Sequence, residues 1–291
     1  MTERGEGALT EHDGVVPLDD GTAAPPSGEM RTRSIELEIE IDAPPEVVWK
    51  AITEAEELVR WFPMEARVDP GEGGRMWVSF GDGIGWTSRI AVWQPNKRLR
   101  TIDEAPPDAP PMPVEVALEY EIEGRGGSTV LRLTHSGFSA DAEWDQFIDS
   151  ITAGWTYFLR NLKHYLERHR GVARNLIKWR RPLTVAAAEA WRMLADPSAL
   201  GFAGLQPGTR ITSTLFSDVP AGGEVWMVRA PYNFACTIES LNDAILFIEM
   251  EPGGEVEHCG VWLSTYGLPD DRVKAIEASL TSKLDEILAR T

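Results

Sequence analysis

Between residues 114 and 138 the chain alternates with a period of two. Val114, Val116, Leu118, Tyr120 and Ile122 fall on one side and Glu115, Glu119, Glu121 and Glu123 on the other, which predicts a half-buried antiparallel strand. Gly124 to Gly127 turns the chain. The return strand sets Val130, Arg132 and Thr134 on one face and Leu131, Leu133 and His135 on the other, so an imidazole continues an apolar row. Upstream, Ile35, Leu37, Ile39 and Ile41 alternate with acidic residues and predict another strand with one buried face. Asp42, Pro44 and Pro45 then open a helix through Val47, Val48 and Ile52. Further strands are predicted near residues 75–80, 86–93 and 98–102. From Trp144 to Leu166, apolar residues recur at steps of three and four, which predicts a long amphipathic helix. Asp141, Glu143 and Asp145 near its start, and Lys163, His164, Arg168 and Arg170 near its end, complement the macrodipole.

This order of strand, helix, antiparallel strands and long helix runs again after residue 171. "IDAPPEVVWKAITEAEEL" is echoed by "WRRPLTVAAAEAWRMLADPSAL", and "RVDPGEGGRMWVSF" by "GLQPGTRITSTLF". Val273, Ile276, Leu280, Leu284, Ile287 and Leu288 mark a last helix after Pro269, Asp270 and Asp271. The halves read as diverged copies of one domain, with boundaries at 31–170 and 171–291. Residues 1–30 hold seven acidic residues against one arginine and no aromatic, and are expected to form a disordered tail.

Charge narrows the partners. With 28 basic and 46 acidic residues the formal charge is −18, which repels nucleic acid and anionic membrane surfaces. No signal peptide and no membrane span is predicted, and a cytoplasmic protein is expected. Cys236 and Cys259 lie in apolar strand-like runs without metal-ligand spacing and read as buried thiols in a reducing compartment, a pairing between them remaining open.

The segments "IDAPPEVVWKAIT", "WF", "GWTSRI", "LTHSGF" and "AGWTYFLRNLKHYLE", in this order, resemble the SRPBCC superfamily of START-like helix-grip proteins, closest to the Hsp90 ATPase activator homologue (AHSA1-like) branch. The resemblance covers residues 33–169 well and 171–291 weakly. It implies an α+β fold of two helix-grip domains, each a bent antiparallel sheet around a long C-terminal helix, with a mostly apolar cavity between sheet and helix. In the first copy Trp155, Phe158 and Leu159 of the helix would face Val116, Leu118, Tyr120, Leu133 and His135 of the sheet. Trp61, Met76, Val78, Phe80, Trp86 and Ile90 are further inward candidates. The same stripes also describe a packed core.

His135 is either a satisfied core histidine or, with Tyr120, a polar group that orients a ligand or moves a proton. Arg89 and Arg132 fall on the outer face by parity. The five histidines show no metal-ligand spacing, and neither metal nor cofactor is expected. His164 and His169 read as solvent-exposed complements to the helix dipole. "GEGG" and "GRGG" read as turns, and "HSGF" lacks the surroundings of a nucleophile elbow. Three functions follow from the resemblance: binding of a small hydrophobic or aromatic molecule, a polyketide cyclase or aromatase reaction in the same cavity, or a co-chaperone-like interaction with a protein partner.

Overall fold

The structure is a computed structural model that describes residues 15–17, 31–105, 114–216, 219–251 and 256–289. It divides between Gly171 and Val172 into two compact units, both α+β. No helix among the described residues is long and apolar enough to cross a membrane.

The N-terminal unit runs β1 (Val15–Pro17), β2 (Thr32–Ile41), α1 (Pro45–Thr53), α2 (Ala55–Leu58), β3 (Glu65–Val68), β4 (Arg75–Gly81), β5 (Ile84–Gln94), β6 (Arg98–Asp103), β7 (Ala117–Arg125), β8 (Ser128–Ser139) and α3 (Asp145–Arg168). Its strands form one antiparallel sheet in the order β1-β2-β8-β7-β6-β5-β4-β3. Alternation sorts the two faces as the sequence predicts. Leu37, Ile39, Leu131 and Leu133 are buried inside. On the outer face Arg132 pairs with Glu38 and Glu123, while Arg98 and Arg100 pair with Glu119. Arg89 is exposed, as parity requires. Such surface pairs fix little energy and mainly keep that face wet.

The 24-residue α3 lays Leu159, Leu162 and Leu166 against the inner face, each at most 4 % exposed. The helix starts at Asp145, after a single 3-10 turn from Ala142 to Trp144, and its first apolar residues do not pack inward: Trp144 is 38 % and Phe147 51 % exposed.

Two expectations need correction. Most of residues 1–30 lies outside the described residues, but Val15–Pro17 is not a structureless tail: it pairs antiparallel with β2, Val15 facing Ile39 at 5 % exposure. Two β-branched residues in a polar stretch suffice to extend an open sheet edge. His169 is 4 % exposed rather than in solvent. It caps α3, its N–H bonded to Tyr165 O, and this turn of the chain folds its ring to 5.1 Å from that of His164.

The C-terminal unit comprises β9 (Arg174–Pro182), α4 (Ala187–Ala195), β10 (Arg210–Phe216), β11 (Val219–Arg229), β12 (Asn233–Ile238), β13 (Ala244–Glu251), β14 (His258–Tyr266) and α5 (Asp270–Leu288). Its sheet order is β10-β11-β12-β13-β14-β9. In both units the first long strand pairs with the last, and the remaining strands follow in reverse sequence order. Among the described residues the second unit has no counterpart of α2 or β3. Its core among the described residues is apolar, with Trp179, Trp191, Phe202 and Phe234 packed among aliphatic residues. Cys236 and Cys259 are free thiols within it, and burial pushes both up to about 12.

Candidate functional site

In an antiparallel sheet directly paired residues share a face, so the register of the N-terminal unit divides its inner surface into rows. One row is Leu37, Leu133, Tyr120 and Leu99, none more than 5 % exposed. The next is Ile35, His135, Leu118, Thr101 and Ile90; here Leu118 and His135 are only half-buried. Beyond it, Asp103, Ser88 and Met76 form a third row, with Val116 beside them. Val78 and Trp86 form a fourth, and Trp86 is 40 % exposed. The inner face is therefore sealed along the first row, whereas in the rows beyond it Leu118, His135, Met76 and Trp86 are partly uncovered beside buried Ile90, Thr101, Ser88 and Val78. The uncovered end carries the polar groups.

A connected series of aromatic rings crosses this surface. Trp86 stacks on Phe80 at 5.7 Å, Phe80 meets Phe62 at 5.3 Å, and Phe62 stacks on Trp155 of α3 at 5.4 Å. Phe158 sits edge-on to Phe62 at 4.8 Å. Trp155 in turn approaches Tyr120 at 6.3 Å and His135 at 6.0 Å, both edge to face. From His135 the series continues to Phe138 at 4.7 Å and then Phe147 at 6.3 Å. Each end of the series, at Trp86 and at Phe147, is open to solvent.

A β-bulge explains how Phe138 joins. Strict alternation from His135 would turn Phe138 outward. The register between β2 and β8 instead shifts, Ser34 facing Ser136 and Arg33 facing Phe138, which leaves Gly137 as the extra residue. Gly137 has φ +97°, and a Cβ there would lie 2.2 Å from Glu115 O. Only glycine fits. The bulge returns Phe138, 3 % exposed, to the inner face beside the imidazole.

His135 makes one hydrogen bond: the indole N–H of Trp155 donates to its Nδ1 at 3.0 Å. An Nδ1 that accepts carries no proton, so in the neutral ring the proton sits on Nε2. Burial lowers the pKa of His135 to about 4, which keeps the ring neutral at physiological pH. Among the described residues no protein group bonds Nε2. The site thus presents an N–H donor amid aromatic rings. It does not present a base, because a lone pair on Nε2 would require a proton on Nδ1 facing the Trp155 N–H.

Asp103 and Ser88 were not singled out by sequence. The Ser88 hydroxyl donates to Asp103 Oδ1 at 2.7 Å, and burial raises the carboxyl above the ordinary aspartate range despite that bond. Asp103 has the parity of Leu99 and Thr101 along β6, and its pairing with Ser88 places it on the inner face. Tyr120 lies in the sealed row, where burial drives its phenol well above the usual range.

The other sequence candidates separate by burial. Trp61, Ile90, Leu133 and Leu159 are sealed in the core, Trp61 with its indole N–H on Ala51 O at 2.8 Å. Val78 and Trp155 are buried at 6 % exposure. Met76, Phe80, Val116, Leu118, His135 and Phe158 are half-buried and gather at the open end. Phe62, an inward candidate beside Trp61 in the "WF" pair, touches Phe80, Trp155 and Phe158.

Residues 42–167 match the family described as Activator of Hsp90 ATPase homolog 1-like protein. No curated protein matches the chain. Among solved structures, similarity extends to the Aha1 dimer from Colwellia psychrerythraea, at 23 % identity over 48 % of this chain and 99 % of that one, with a TM-score of 0.43. A second is protein MLL2253 from Mesorhizobium loti, at 24 % identity, 47 % and 99 % coverage and a TM-score of 0.42. The di-domain ARO/CYC protein BexL of the BE-7585A biosynthetic pathway covers 87 % of this chain and 99 % of its own, at 12 % identity and a TM-score of 0.42. The matched residues run from the end of β2 through the His135 bulge to the last turn of α3, so the likeness to the AHSA1-like family spans most of the N-terminal unit.

Proposed function

We propose that the N-terminal unit binds a small hydrophobic or aromatic molecule between α3 and the uncovered end of its sheet. The observation that carries this reading is the partial uncovering of the inner face beyond Tyr120. A sheet whose only task was to pack on α3 would be sealed in every row, yet the rows beyond Tyr120 leave Leu118, His135, Met76, Phe80 and Trp86 partly open. Concave apolar surface with a few polar anchors is what small-molecule sites require.

A cyclase-type reaction in the same space is favoured by one feature, Asp103, a partly desolvated carboxylate on that face. In that reading Asp103, and not His135, accepts the proton, and His135 donates a hydrogen bond to developing negative charge.

Mass spectrometry of the purified full chain, under native and then denaturing conditions, tests binding. A small hydrophobic compound leaving on unfolding, or a rise in melting temperature with flat aromatic ketones, is the expected result. No released compound, together with no thermal shift across a panel of aromatic ketones, phenols and fatty acids, would sink the proposal.

A further inference from the structure

We propose that the ligand of this site presents an uncharged acceptor oxygen, as in an aromatic ketone or quinone, to Nε2–H of His135, and that Trp155 is the residue that fixes this donor. The inference rests on the binding reading above and narrows it to a substrate class. Three observations converge on it. The Trp155 indole N–H occupies Nδ1 at 3.0 Å and so selects the tautomer with its proton on Nε2. No described protein group satisfies that N–H, which the half-buried ring leaves available to a ligand at the open end of the inner face. The surrounding rings, Phe138 at 4.7 Å edge-on and Trp155 at 6.0 Å, offer no competing acceptor and favour a flat apolar partner.

The charge state of the ligand follows from the same geometry. Burial holds the imidazole neutral, so it supplies a dipole and not a cation, and a neutral donor in apolar surroundings matches a carbonyl better than a carboxylate. The C-terminal unit provides an internal contrast. His135 pairs with Ile35, ten residues before α1 begins, and Leu263 pairs with Ile177, ten residues before α4 begins. The second copy carries leucine at the equivalent position, within an apolar core.

The probes are 9-fluorenone and fluorene, of equal shape, one with a carbonyl and one without. Calorimetric titration of the full chain is expected to show fluorenone binding about tenfold more tightly, the worth of one net hydrogen bond. His135→Leu should retain fluorene and bring the ratio to about one. Nitrogen NMR of the full chain labelled in its histidines should show His135 as the Nε2–H tautomer, and Trp155→Phe should remove that preference while reducing the ratio. The ratio should also hold between about pH 5.5 and 8, where an imidazolium donor would fade. Equal affinities in the parent, or an Nδ1–H tautomer, overturn the inference while leaving hydrophobic binding intact. Binding of neither probe by the folded parent defeats the binding reading and this inference with it.

Discussion

A histidine capped at Nδ1 by an indole is held neutral in the folded chain and is free to charge when the chain unfolds. Its pKa of about 4 in the fold lies below the ordinary value of 6.5. Between those values the unfolded chain binds the proton and the folded chain does not, so stability falls as pH drops through that window. Above pH 6.5 the contribution is level; below about 4 both states are protonated. The shift corresponds to at most ~3 kcal/mol. His135→Leu is therefore expected to flatten the part of the stability curve between pH 6.5 and 4, measured by urea denaturation at a series of pH values; an unchanged slope would mean that the imidazole titrates normally. Parity alone placed His135 and Tyr120 inward. It could not show that Trp155, 20 residues away in sequence, reaches the ring, because that contact depends on where α3 crosses the sheet. Nor could it show that Asp103, which shares the parity of Leu99 and Thr101, meets Ser88, because that contact depends on how β5 pairs with β6.

Elements were more legible than their irregularities. Period-two and period-three-to-four patterns located β2, β4 to β8, α1 and α3, because each buries one face along its whole length. The short elements α2 and β3 and the added strand β1 were missed, since four residues or fewer give no periodicity to read. The bulge in β8 was also missed, although it decides which side chains meet. Gly137 appears in sequence as an ordinary strand glycine; its need for φ +97° and for contact with Glu115 O emerges only from the pairing of β8 with its neighbours. Gly137→Ala should cost about 2 to 4 kcal/mol through strain and overlap. It should also cut fluorenone affinity by more than it lowers fluorene affinity, because the bulge holds His135 and Phe138 in position. Melting curves and paired titrations check this; a variant as stable as the parent would show that the bulge relaxes without cost.

Across the whole chain the repeat preserves topology and discards chemistry. The circular strand order and the placement of the first helix are common to both units, because either can be rebuilt from any sequence with the same apolar pattern. The polar features are not carried over. Leu263 replaces His135, and α5 contributes Ile276, Leu280, Leu284 and Ile287 to its unit's core, with no indole among them. A leucine in that row removes both the polar anchor and the need for a hydrogen-bond partner. One ligand per chain is therefore expected. Titration of 9-fluorenone should saturate at one equivalent, and His135→Leu should weaken that single event without exposing a second, tighter one. Saturation at two equivalents, or an unaltered second event in the variant, would place a binding site in the C-terminal unit and overturn the expectation.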